Sequence, residues 1–296
     1  MGSTGPILIA GKRGRLAQAL IAEAAEQSRH VAAVGRPDLD LLDRASIAST
    51  LADIKPCAII NAAGIVNMEQ AERDPSLAFA VNRDSAGNLA AAAHASGIPF
   101  VHLSSDYVFD GRKSTPYAEE DAANPISIYG KSKVAGENAV LAADPDAVIV
   151  RTSWLFGASA GNFVTTMLRL AETNDTLRVV ADQHGRPTEL TDLSRALFRI
   201  ADRRLEGDGE AGIYHVAGRG ETTWFDFARA IFSGWASRGG RMPHLQAITS
   251  PQWGGPAQRP LYSSLDCAKA ERIFGIVLPA WQDSLERCLD RIAQNR

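Results

Sequence analysis

The sequence predicts an α/β fold, a doubly wound parallel sheet followed by a smaller C-terminal lobe. Three observations predict it. Short apolar runs alternate with longer Ala- and Leu-rich stretches, a glycine-rich turn follows the first run, and the rhythm loosens beyond about Trp154. Such βαβα alternation argues for parallel strands covered on both faces, because each parallel crossover needs a helix that lies back on the sheet.

The strand-like runs are, in order, Ile7–Ala10, Val31–Val34, Ala58–Ile60, Phe100–Leu103 and Val148–Val150. Each is short and almost purely apolar, as a strand buried on both faces should be. Leu16–Ser28 and Ser76–Ser96 read as helices, and Gly97-Ile98-Pro99 stops the second before the next strand. The later half holds Gly- and Pro-containing loops at Asp182–Pro187, Glu206–Gly212 and Ser250–Pro260. No internal repeat and no low-complexity linker interrupts the chain.

Composition narrows the partners. Hydrophobic residues are 45% and charged residues 22% of the 296, an ordinary globular balance, and the net charge is only -3. A chain this weakly charged has no overall field to hold nucleic acid or an anionic membrane, so the expected ligand is a small anion gripped by a few local cations. Cys57, Cys267 and Cys288 are odd in number, far apart and in no CxxC pair, which fits neither a disulfide framework nor a thiolate metal site. Met1–Ala10 is too short an apolar stretch for a signal peptide, and no run reaches ~18 apolar residues, so a cytoplasmic protein is expected. The six histidines show no HxxxH-type spacing, and no metal site is expected.

The residues just after each strand carry the chemistry, because ligands of open α/β sheets lie outside the carboxyl ends of the strands. Gly11-Lys12-Arg13-Gly14-Arg15-Leu16-Ala17 follows the first strand and opens a helix. Its glycines let backbone approach a diphosphate, and the helix start points N–H groups at it. This makes the sheet Rossmann-type and residues 1–154 a dinucleotide-binding domain, with some segments of about 176–220 returning to it. Residues 155–296 are then mainly a substrate-binding lobe. The second strand ends in Gly35-Arg36, where an acid often meets the ribose hydroxyls; an arginine suits a 2′-phosphate instead, or equally stands solvated in the loop. Asp40 and Leu41 follow as adenosine contacts, Asp40 equally a helix cap. Asn61-Ala62-Ala63-Gly64 offers small residues for a flat cofactor surface, or an N-cap at Asn61. Gly11, Gly14, Arg15, Leu16, Ala63, Gly64 and Val66 complete the expected cofactor set.

Ser104-Ser105-Asp106 ends the fourth strand, and Tyr129 and Lys133 stand at i,i+4, one turn apart on one helix face. An ammonium beside a phenol favours the phenolate, so the spacing predicts a tyrosine pKa lowered from ~10. Such a tyrosine is a proton donor to a developing alkoxide, with Ser105 holding the same oxygen.

At these residues the chain resembles the extended short-chain dehydrogenase/reductases, and within them the dTDP-4-dehydrorhamnose reductases. The resemblance runs in order through GKRGRLA, NAAGIVNMEQAE, SSDYVFDG, IYGKSKVAGE, RTSWLFG, GNFVTTMLRLA, DQHGRPT, GIYHVAG, TTWFDFA, and RPLYSSLD with FGIVLPAW. It implies reduction of a 4-keto-6-deoxy sugar on dTDP by NADP(H), with NAD(H) as the second candidate. Tyr129 would donate the proton, Lys133 would hold it and the nicotinamide ribose, and Ser105 would replace the family's catalytic Ser or Thr. Asp106 and Trp154 match positions that contact the sugar, with closing the core as the alternative role for Trp154; Asn162 and Arg259 are candidates for the nucleotide diphosphate. A homodimer is expected, and some relatives use Mg2+, for which nothing in the sequence defines a site. Two departures stand out: Ile65-Val66, where the family often has an aromatic or His followed by Thr, and Glu189-Leu190 after Pro187-Thr188. The alternatives are another nucleotide-sugar reductase or epimerase, and a non-catalytic cofactor-binding subunit like the one of this family that partners methionine adenosyltransferase.

Overall fold

The computed structural model describes residues 5–159 and 161–294, so residues 1–4 of the Met1–Ala10 stretch lie outside it. Strands β1 (Ile7–Ala10), β2 (Val31–Val34), β3 (Ala58–Asn61), β4 (Phe100–Ser105) and β5 (Val148–Thr152) pair in parallel. Helices α1 (Arg15–Glu26), α2 (Arg44–Ile54), α3 (Met68–Arg73), α4 (Pro75–Phe79), α5 (Ser85–Ala95) and α6 (Ile128–Ala143) connect them. Side chains alternate across each strand: Ile7 and Ile9 enter one core cluster, Leu8 and Ala10 the other. The sheet is therefore buried on both faces, and each fully buried Leu or Ile contributes roughly 1.5–3 kcal/mol.

Beyond β5 come β6 (Leu155–Phe156), α7 (Phe163–Ala171), β7 (Thr176–Val180), β8 (His184–Gly185), β9 (Thr188–Glu189), α8 (Leu190–Leu205) and β10 (Gly212–His215). They are followed by β11 (Thr222–Thr223), α9 (Trp224–Ala236), β12 (His244–Ile248), α10 (Ser250–Trp253), α11 (Ala268–Phe274) and α12 (Trp281–Gln294). The main sheet has the order β10-β5-β4-β3-β1-β2. Thus β10 rejoins it beside β5, and α8 packs its Leu193, Leu197 and Ile200 into the same cluster as Leu20 of α1. β7 instead pairs with β12 in the C-terminal lobe, whose core gathers Phe156, Leu168, Phe227, Trp235 and Leu285.

Three elements differ from the sequence expectation. α1 ends at Glu26 rather than Ser28, because Ser28 turns left-handed at φ 53°. α2 was not expected; Asp43 caps it by accepting from the Ala45 N–H at 2.9 Å, and it buries only Ile47 and Leu51, too faint an apolar stripe to read. The Ser76–Ser96 helix is broken by a π segment at Ala80–Asp84. That extra residue per turn turns Asn82 inward, where its Oδ1 accepts from Ile65 N–H (2.8 Å) and its Nδ2 donates to Ile65 O (3.0 Å) and Ser132 Oγ (2.9 Å).

Helix α6 lies unusually close to its neighbours. A Cβ on Gly130 would stand 2.2 Å from the Tyr107 carbonyl oxygen, and one on Gly136 2.2 Å from that of Asn82. Gly136→Ala should therefore destabilise the fold by about 1–3 kcal/mol through overpacking, read as a lower urea midpoint, although alanine is the better helix former.

Candidate active site

Two adjoining cavities open along the carboxyl edge of the sheet. The smaller, about 390 Å3, is bounded by the Gly11–Gly14 turn, Gly35, Arg36 and Leu39–Leu42. The larger, about 560 Å3, runs from Gly14 past Ser105 and Tyr129 to Trp154 and Arg259. Gly14, Ala62, Ala63 and Gly64 line both, so one extended ligand can cross from one into the other.

The smaller cavity fits a dinucleotide on its own geometry. Gly11 sits at φ +98°, and a Cβ there would be 2.9 Å from the Ala63 Cα, so only glycine lets the turn approach β3. Gly14 caps α1 without a side chain, leaving the first helical N–H groups facing the turn, a ready anion site. Lys12, Arg13 and exposed Arg36 surround it. Asp40 and Leu41 line the same cavity, while the Asp40 carboxylate accepts locally from Leu42 N–H at 3.0 Å. Asn61 ends β3 rather than capping a helix. Its Oδ1 accepts from Ala63 N–H (3.1 Å) and its Nδ2 meets His102 Nδ1 (3.1 Å), which fixes the Ala62–Gly64 backbone.

In the larger cavity, Ser105 comes from the end of β4, and Tyr129 and Lys133 from α6, which Ser127 caps by accepting from Gly130 N–H at 3.1 Å. Ser105 Oγ donates to Asp106 Oδ1 (3.0 Å), and Ser263 Oγ donates to Asp106 Oδ2 (2.6 Å). Ser105 and Tyr129 line the same cavity, and the Ser105 hydroxyl acts to lower the phenol's pKa. Lys133 Nζ donates to the Leu103 carbonyl at 2.6 Å. Burial dominates the electrostatics: it pushes Asp106 up to about 7 and Lys133 down to about 8. It also pushes Tyr129 up to about 12, against the lowering influence of Ser105 and aided by the Asp106 charge. The expected lowering of the tyrosine by Lys133 is thus corrected: desolvation raises it, and the ammonium is turned to a backbone carbonyl. The phenol carries its proton.

Most expected residues meet here. Arg15, Leu16, Val66, Asp106, Trp154 and Arg259 all line the larger cavity. Val66 is 62% exposed, an apolar side chain standing free on the cavity wall. Asn162 does not line it. Its amide donates to Gly157 O (2.8 Å) and Ser159 O (2.6 Å) while capping α7, so the expected diphosphate contact is withdrawn in favour of a capping role. Arg259 is already engaged by Glu69, Nη2 to Oε1 2.6 Å. Trp154 adopts φ +47°, rare for a bulky residue, and stacks flat on Trp224 with centroids 3.6 Å apart. The departure at Glu189 is structural: it caps α8, accepting from Thr191 N–H (2.7 Å) and Asp192 N–H (3.0 Å).

Sequence reasoning missed Lys12, Arg13, Glu69, Tyr107 and Trp224 as lining residues. The basic pair lay inside the quoted glycine turn and was readable; Trp224 reaches Trp154 only through tertiary packing. Among the described residues, one group of carboxylates and histidine has metal-like spacing, His94, Asp144 and Asp146. It lies where α5 and α6 end, at the opposite edge of the sheet, and lines neither cavity. No helix among the described residues is long and apolar enough to cross a membrane.

Comparison with known proteins matches this arrangement. Residues 5–294 match the family model described as RmlD substrate binding domain. A dTDP-4-dehydrorhamnose reductase of Sinorhizobium fredii is 45% identical, with 95% of each chain covered. The crystal structure of a dTDP-4-dehydrorhamnose reductase from Clostridium acetobutylicum is 35% identical with TM-score 0.90, covering 97% of this chain and 99% of that one. The dTDP-4-dehydrorhamnose reductase of Bacillus anthracis, solved in complex with NADP, is 33% identical with TM-score 0.90, covering 98% and 100%. With its glycine cradle, its Ser105, Tyr129 and Lys133 set around one cavity, and kinship along nearly its whole length, the chain belongs to the dTDP-4-dehydrorhamnose reductase family.

Proposed function

We propose that the protein is an NAD(P)H-dependent oxidoreductase that reduces the 4-keto group of a dTDP-linked 6-deoxy sugar, dTDP-4-dehydrorhamnose to dTDP-L-rhamnose. The observation that carries the reading is the protonated, buried Tyr129 lining, with Ser105 and Lys133, a cavity continuous with the glycine cradle. NADPH, when bound, supplies the hydride to the carbonyl carbon. Everything else belongs to the chain. The Gly11–Leu16 turn, Ala63, Gly64 and Val66 hold the dinucleotide, Arg36 takes the 2′-phosphate, and Asp40 and Leu41 border the adenosine. Ser105 and Tyr129 hold the carbonyl oxygen, and Tyr129 gives it a proton as negative charge develops there. Lys133, lowered to about 8, remains largely an ammonium at neutral pH and supports the tyrosinate left behind. Asp106 and Trp154 border the sugar, and Arg259 the nucleotide diphosphate. Residues 1–154, with α8 and β10, form the cofactor domain, and the remainder the sugar domain. We place the protein in the cytoplasm as a homodimer.

Purified protein should consume NADPH when given dTDP-4-keto-6-deoxy-L-mannose; binding of both nucleotides without turnover would instead favour a non-catalytic subunit. Tyr129→Phe keeps the ring but removes the transferable proton, so kcat should fall by roughly 10²–10⁴ while NADPH binding survives. Lys133→Met should lower kcat and also weaken NADPH, because charge and donor go together. Arg36→Ala should raise the Kd for NADPH and leave that for NADH nearly unchanged; equal losses in the two titrations would remove Arg36 from 2′-phosphate recognition.

A further inference from the structure

Arg15 stands at the seam between the two lobes. It is the first residue of α1, directly after the glycine turn, yet its Nη1 donates to the Gly161 carbonyl oxygen at 2.5 Å, 146 residues along the chain. Arg15, Gly14 and Gly161 line the larger cavity together, close to the surfaces shared with the smaller one. No carboxylate lies within ion-pair distance of Arg15 among the described residues. A half-buried guanidinium with one carbonyl partner and no acid is a cation with capacity for an anion.

The far end of this contact leads into the C-terminal lobe. Gly161 takes φ +86° just before α7, and Asn162 donates to the Gly157 and Ser159 carbonyls and makes a capping box with Thr165. α7 in turn sends Val164, Met167 and Leu168 into the core of the C-terminal lobe. Arg15 therefore links the start of α1, beside the glycine turn, to the residue that leads into α7 and so to that core. A planar guanidinium presents several N–H groups in a fixed fork, so it can serve a phosphate oxygen and a carbonyl at once.

The geometry points to Arg15 as a positioning residue that makes cofactor and nucleotide-sugar binding cooperative. The inference rests on the function proposed above and adds to it how the two sites communicate. An anion on the glycine turn fixes the Arg15 side chain, the Gly161 contact becomes permanent, and the wall met by the nucleotide sugar is ordered before it arrives. The ordering entropy is lost once, on cofactor binding, and the second ligand binds more tightly.

The probe is dTDP, titrated calorimetrically into the protein alone and saturated with NADP+. The parent should bind dTDP about tenfold more tightly with NADP+ present, a typical coupling factor. In Arg15→Met that factor should fall to near one. Arg15→Lys should keep most of the NADP+ affinity, through its charge, yet lose the coupling, because an ammonium has no fork. As a second measurement, NADP+ should slow amide exchange at Asn162–Met167 in the parent and not in Arg15→Met. A parent with no coupling, or an Arg15→Met variant that keeps both the coupling and the slowed exchange, overturns the inference and leaves the proposed function standing. A parent that binds neither nucleotide overturns that function first.

Discussion

The site depends on how closely α6 approaches the end of β4 and the π segment. Gly130 and Gly136 face the carbonyl oxygens of Tyr107 and Asn82 at distances that exclude even a methyl group. That approach brings Tyr129 to Ser105 and Lys133 to the Leu103 carbonyl, joining residues from a strand end and a helix face. The π segment belongs to the same constraint, because Asn82 both braces Ser132 of α6 and holds the Ile65 backbone beside the cofactor surface.

One physical effect orders the electrostatics that follow. Asp106, Tyr129 and Lys133 are all withdrawn from water, and each moves toward its neutral form, the two acids upward and the lysine downward. The hydroxyls of Ser105 and Ser263 give Asp106 the hydrogen bonds that water would otherwise supply. The result is a set of groups that hold protons near neutral pH in a cavity with an apolar wall, suited to delivering a proton rather than removing one.

The C-terminal lobe closes the other side through aromatic packing more than through charge. Trp154 stacks on Trp224 of α9, and Gly185 leaves room for the ring, since a Cβ there would be 2.5 Å from it. Trp154 Nε1 is buried with no protein partner, so this wall keeps a donor in reserve beside the cavity. Polar ties between the walls include Arg259 to Glu69, Arg15 to Gly161 and Ser263 to Asp106.

By itself the sequence determined the parallel α/β sheet, the glycine turn and the pairing of Tyr129 with Lys133, because each is encoded locally, in strand alternation, in a turn only glycine allows, or in helical spacing. It also carried the family kinship, through motifs in fixed order. It did not reveal the π segment or α2, since a register shift inside an Ala-rich helix and a faint apolar stripe leave no periodic signal. It misassigned Asn162, whose amide serves its own turn, and it had the tyrosine moving the wrong way, because spacing records which charges are neighbours and not how much water has been removed. Those points only the tertiary structure decided: desolvation, close backbone approach and contacts such as Arg15 to Gly161 arise when segments far apart in the chain are packed together.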